Sequence, residues 1–180
     1  MGIDVDNEAA FWLSTRKCID AGHREIALLN GPEPYSYARQ RELGYRKALR
    51  QSGIQLDTEL ILNGEPTFAM GSVMASYLLR SMQRPTALVC ATDELALGAM
   101  SACTDLGLRV GRDISVVGYG DTEQARKSTP RLATLIFSLR GISQQLADSL
   151  LSQLEPQRFN RVNSICVNRR ALIWLRRRAT

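Results

Sequence analysis

Two carboxylates (Asp93, Asp121), two arginines (Arg39, Arg41), the Thr92 hydroxyl and the Phe68 ring stand where strand-like runs give way to loops or helices. Together they offer acceptors, planar forks of donors and a flat apolar face. That chemistry suits a sugar or another small polar molecule held by many hydrogen bonds. Acid–base work would need paired carboxylates, and Asp93 with Asp121 is the one pair so placed. His23 is the single histidine. It has no nucleophile pattern beside it and falls in a turn, which argues against a Ser-His arrangement and against a metal site. There is no phosphate-cradling Gly-x-x-x-x-Gly-Lys, and Gly118-Tyr-Gly-Asp121 lacks the third glycine and helix start of a dinucleotide fingerprint. The reading is therefore binding without catalytic residues, cofactor or metal.

These groups need elements to position them. Ala87 to Ala91, opened by Pro85, is a short continuous apolar run of parallel-strand length, and Thr92-Asp93 supplies capping groups for a helix ending at Leu106-Gly107. The same unit recurs along the chain. Helices are expected over Asn7–Ala21, Tyr37–Gln51 and about Ala69–Met82, and strands over Glu25–Asn30, Leu60–Leu62, Asp113–Gly118 and Arg131–Ile136. An amphipathic helix over Gly141–Leu154 and a last strand over Asn163–Asn168 complete the alternation. Strands alternating with helices over short connections predict an α/β fold, a mostly parallel sheet with helices on both faces. Ligands of such sheets lie beyond the carboxyl ends of the strands, where Thr92 and Asp93 fall.

Composition narrows the class further. The chain is 44% hydrophobic and 23% charged, ordinary for a globular protein, with no apolar run of membrane-spanning length and no signal-like start. Its formal charge of +5 is local: seven arginines and no acid follow Glu155, ending in a basic Leu175–Thr180 tail. That tail reads as solvated rather than as a nucleic-acid arm, because nothing aromatic or Gly-rich is interleaved with it. Cys18, Cys90, Cys103 and Cys166 are too far apart for a zinc or redox motif and read as free thiols of a cytoplasmic protein.

Six stretches, in order, carry a family resemblance: Ala21-Gly-His-Arg-Glu-Ile-Ala27, Arg41-Glu-Leu-Gly-Tyr45, Pro85-Thr-Ala87, Thr92-Asp-Glu-Leu-Ala-Leu-Gly-Ala99, Gly107 to Tyr119, and Pro130-Arg-Leu-Ala-Thr134. The chain resembles the effector-binding region of the LacI/GalR transcriptional repressors, whose fold is periplasmic-binding-protein-like. The resemblance implies that residues 1–134 and 162–174 form the C-terminal subdomain, that 139–160 is a piece of the N-terminal subdomain, and that 175–180 is a tail. It implies a small-molecule effector, a sugar by preference, contacted by Arg41, Phe68, Thr92 and Asp93. Gly120 stands where most members carry an effector-contacting aspartate, and Ala133 replaces a threonine. Leu97 falls in the family's dimer interface, so a homodimer is expected. DNA would be bound only through an N-terminal helix-turn-helix that this chain does not include, and no membrane is involved. A periplasmic sugar-binding protein for transport is the alternative reading.

Overall fold

A computed structural model describes residues 3–137 together with Ala147, Leu151, Ile165–Cys166 and Leu172–Leu175. Apart from Ala147 and Leu151, the expected helix over Gly141–Leu154 lies outside the described residues, as do most of the strand over Asn163–Asn168 and the basic tail past Leu175. In chain order the elements are β1 (Ile3–Asp4), α1 (Asn7–Asp20), β2 (Ile26–Asn30), α2 (Ser36–Gln51), a 3-10 turn (Thr58–Leu60), β3 (Ile61–Asn63), α3 (Phe68–Leu79) and β4 (Ala87–Cys90). There follow α4 (Asp93–Asp105), β5 (Ser115–Tyr119), α5 (Glu123–Lys127), β6 (Ala133–Phe137), β7 (Ile165–Cys166) and β8 (Leu172–Leu175).

The main sheet has the order β3-β2-β4-β5-β6-β8. Its first five strands are parallel, and β8 is antiparallel to β6, with Leu135 opposite Trp174. β8 is an edge strand that the sequence reading did not anticipate, and it takes in Leu175, which had been given to the tail. β1 and β7 pair in parallel as a separate two-stranded sheet.

Handedness explains the layering. The β2-α2-β3 crossover runs toward one edge of the sheet, whereas β3-α3-β4, β4-α4-β5 and β5-α5-β6 run toward the other, so right-handed connections put α2 on one face and α3, α4 and α5 on the opposite one. α1 packs along α2, and α3 packs along α4. Gly71 and Gly98 make the second pair close: a Cβ on either would collide with backbone of the facing helix, at Leu95 and Phe68 respectively. Strands covered on both faces are mainly apolar, and every residue of β2 and β4 is buried, with Asn30 at the end of β2 the one polar member. Leu28, Leu29, Leu88 and Leu95 are wholly buried among them, each side chain contributing about 1.5–3 kcal/mol of transfer free energy.

The ends of the elements follow local chemistry. Side chains of Asp6, Thr67, Thr92 and Thr122 cap α1, α3, α4 and α5 by accepting from the backbone N–H three residues on. α3 stops at Leu79 rather than Met82, because the Ser81 hydroxyl donates to the Leu78 carbonyl and Met82 stands free in solvent. β5 begins at Ser115 rather than Asp113, whose carboxylate is engaged by the Arg109 backbone N–H and guanidinium and is thereby held well below the usual carboxylate range.

Candidate functional site

Strand order reverses direction between β2 and β4, and the crevice at such a switch point is where open α/β sheets take ligands. Arg41 occupies it. From the second turn of α2 its Nη1 donates to the Ala91 carbonyl at the end of β4 (2.9 Å), and its Nε donates to Asn7 Oδ1 at the start of α1 (2.9 Å). Its Nη2 has no hydrogen-bond partner among the described residues. Three rings surround the guanidinium: its central carbon lies 5.2 Å from the Phe11 centroid, 4.7 Å from Tyr37 and 4.9 Å from Tyr119. Each face-on cation–ring contact is worth roughly 0.5–2 kcal/mol, more as water is excluded, and Arg41 is only 9% exposed. Burial lowers its pKa, with Tyr119 and Tyr37 opposing the shift. The expectation that this side chain overhangs the mouth is thus refined. It is anchored between the start of α1 and the end of β4, with one amino group hydrogen-bonded to no described residue.

Thr92 stands at the same edge. Its Oγ1 accepts from Leu95 N (3.2 Å) as the α4 cap, and the half-exposed hydroxyl keeps its own proton to give. Asp93 does not present a carboxylate to solvent. It is wholly buried: Oδ1 accepts from the Thr134 hydroxyl at 2.6 Å, and Oδ2 accepts from the Thr122 backbone N–H at 2.7 Å. As the first residue of α4 it points inward, where it ties the β5–α5 loop and β6 to the helix start. Asp121, its proposed acid–base partner, has a positive φ of 53° and is ion-paired through Oδ2 to Arg126 (2.9 Å). Both carboxylates hold the loop, and neither is arranged for proton transfer.

Gly120 lies in that loop with φ +134°, a conformation that L side chains rarely adopt, and its N–H donates to the Leu135 carbonyl. A Cβ there would stand 3.5 Å from Asp93 Oδ2, so an aspartate at this position would bring strain and a second carboxylate beside a buried one. Phe68 is 53% exposed. It lines a broad groove with Leu97, Met100, Thr104 and the Thr129–Arg131 turn. The ring expected to stack on a ligand therefore shares the surface of the residue expected at a dimer interface. Arg39 is exposed on α2.

Sequence reasoning missed several residues of the site. Asn7 is buried and donates through Nδ2 to Val5 O and Gln40 Oε1 while it accepts from Arg41, so it sets that guanidinium's orientation. Asn30, at the end of β2, donates to the Ala38 carbonyl and leaves a buried Oδ1 unpartnered among the described residues. Tyr37 lies against Gly31, where a Cβ would fall 2.7 Å from its ring, and Tyr35 stacks on it. A signal was present: Pro-Tyr-Ser-Tyr at a strand-to-helix junction, just before an arginine pair. Away from this edge, His23 joins the opposite ends of the strands through Thr86 Oγ1 (3.0 Å) and Ser115 Oγ (2.9 Å), a structural clip in the turn where it was expected.

Cys18, Cys90 and Cys103 are free and buried, and burial pushes Cys18 up to about 12 and Cys103 to about 11. No cluster among the described residues could hold a metal ion, and no described helix is long and apolar enough to cross a membrane.

Comparison with known proteins gives consistent matches. The family profile of the periplasmic binding protein-like domain matches residues 15–171. The ribose operon repressor of Haemophilus influenzae is 35% identical over 144 residues, covering 80% of this chain and 43% of that protein. The repressor PurR of Photorhabdus laumondii is 32% identical over 166 residues, covering 90% and 49%. Among solved structures, a LacI-family regulatory protein from Chloroflexus aggregans superimposes with a TM-score of 0.86 at 29% identity, covering 92% of this chain and 59% of that one. The chain thus spans about half the length of the curated relatives it matches.

Proposed function

Because the chain belongs to the periplasmic binding protein-like domain family, in the form found in LacI-family repressors, we propose that it binds the effector of a bacterial DNA-binding transcriptional repressor and contributes to that protein's dimer. One observation carries the ligand assignment. At the switch point of the sheet, Arg41 is fixed by Asn7, Ala91 and three rings, yet keeps Nη2 to donate, with the Thr92 hydroxyl at the same edge. Rigid donors at a concave edge suit a neutral, hydroxyl-rich molecule, and the name of the ribose operon repressor favours a sugar. The residues proposed to bind are Arg41 and Thr92, with Asp93 and Gly120 shaping the loop between them.

DNA would be read by a part of the protein outside this chain, and such a repressor would work in the cytoplasm. Catalysis is not proposed, since the relatives named are repressors and the rim's two carboxylates are committed to structure. The same relatives favour a repressor over a transport protein.

Thermal-shift measurements on the full-length protein with pentoses, hexoses and nucleosides test the reading. A cognate effector at about 100 times its Kd adds roughly 2.7 kcal/mol of stability and should raise Tm by several degrees. Arg41→Lys keeps the charge but loses the fork, so it should abolish most of that shift in a protein that still melts cooperatively. An undiminished shift in this variant would move the ligand site elsewhere.

A further inference from the structure

α2 carries five cations, Arg39, Arg41, Arg46, Lys47 and Arg50, against one acid, Glu42. Arg41 turns inward. The other four surround Leu43, which stands two residues from Arg41 and from Tyr45 and so about 160° round the helix from either buried side chain. Arg39 lies four residues before it, Arg46 and Lys47 three and four after, and Arg50 seven after, the spacing that lines side chains up along one helical stripe. In the middle of that stripe Leu43 is 56% exposed.

A lone exposed leucine is ordinary. Leu43 has company, because the chain beyond α2 returns along the helix. Gly53 turns at φ +66°, the Ile54 N–H donates back to the Leu49 carbonyl (3.0 Å), and Ile54 and Leu56 come to lie half-buried beside Leu43. Between the helix and this returning segment runs an open furrow of about 660 Å³, apolar where Leu43, Ile54 and Leu56 line it and basic along Arg46, Lys47 and Arg50.

Charge decides what the furrow takes. Arg46 is paired with Glu42 (2.6 Å) and Lys47 with Glu8 (2.6 Å), whereas the side chains of Arg39 and Arg50 have no hydrogen-bond or ion-pair partner among the described residues. The excess positive charge is therefore theirs. A membrane surface needs a broad apolar face to receive, and this stripe has one exposed apolar side chain. Nucleic acid fits poorly too, since none of the described lining residues is aromatic and Glu8 would face the phosphates. An apolar side chain flanked by carboxylates matches both halves of the surface: the apolar group lies on Leu43, Ile54 and Leu56, and the carboxylates meet the free guanidinium forks.

We infer that the furrow along α2 is a docking site for an acidic segment of a partner protein, seated by one apolar side chain. It lies on the side of α2 away from Arg41 and is independent of the effector reading.

The test uses the full-length protein and a fluorescein-labelled peptide of repeated Glu-Leu-Glu-Glu, followed by anisotropy. The peptide should bind saturably with a Kd below about 1 mM and should weaken as salt is raised. Leu43→Gln removes the apolar seat and Arg50→Glu reverses an unpaired charge, and each should weaken binding about tenfold. Both side chains are exposed, so both variants should melt as wild type does. Affinity that neither variant changes by more than about twofold places the peptide elsewhere and overturns the proposal. So does the absence of saturable binding at about 1 mM, or equal binding of a copy with Lys for every Glu. If Arg50→Glu instead releases a random-sequence DNA duplex or phosphatidylglycerol vesicles and leaves the peptide unaffected, the face belongs to nucleic acid or lipid and the inference is wrong.

Discussion

Truncating Asp93 would strand two donors at once, the Thr134 hydroxyl and the Thr122 backbone N–H, in a place that water does not reach. Hydrogen bonds to a charged group contribute about 1.5–3 kcal/mol each, so Asp93→Ala should lower unfolding free energy by about 3–6 kcal/mol in urea titration. Asp93→Asn should cost less, and an unchanged midpoint in Asp93→Ala would show that the carboxylate does not hold this loop. His23 gives a pH dependence of the opposite end of the sheet. Thr86 donates its own proton to the Glu25 carbonyl, so it accepts from His23 Nδ1, and Nε2 accepts from Ser115 in the neutral ring. Burial lowers the His23 pKa from its ordinary 6.5. The unfolded chain then binds the proton more readily, so stability rises with pH. The His23 contribution is complete above about 6.5 and is lost as pH falls through the lower folded value. Tm measured from pH 7.5 down to 5 should fall more in wild type than in His23→Gln, and parallel curves would remove His23 as the cause.

α4 is the element on which the two proposed surfaces meet. Its capping residue stands at the crevice, and Leu97, half-buried one turn along, lines the outer groove with Met100 and Phe68. Leu97→Glu should give a folded monomer by sedimentation velocity. An unfolded chain would make Leu97 a core residue, and an intact dimer would place the interface elsewhere. Elements of this kind were legible in the sequence because apolar period and capping chemistry agree: Pro85, the run to Ala91, Thr92 and Gly107 bound one strand and one helix between them. α5 was not, since five residues make little more than one turn and only Ala125 is buried. β8 was missed because Leu172–Leu175 runs into an arginine tail that conceals its strand pattern. Site residues divided in the same way. Thr92 falls where β4 gives way to α4 and Arg41 in the second turn of α2, whereas the inward turn of Asp93 depends on Thr134, forty-one residues away, and the ring cage on α1, α2 and β5 together. Spacing along the chain does not encode which way a cap residue's neighbour points.

At the scale of the molecule, the sheet's one reversal of winding fixes where a ligand can enter, and the parallel order that creates it is built from connections that cannot be shuffled without changing hand. Crevice and groove lie at the start and along the flank of a single rigid helix, braced by Asp93 to β6 and by Gly71 and Gly98 to α3. Thermodynamic reciprocity then applies to them as a pair. Whatever factor occupancy of the crevice applies to the association of two copies, association applies the same factor to occupancy, because both equilibria share one cycle. Dilution of the protein thereby tests the proposed dimer and the proposed effector site together: if the two are coupled through α4, the midpoint of a titration drifts across the concentration range in which the copies separate, and a constant midpoint means that α4 carries no free energy between them.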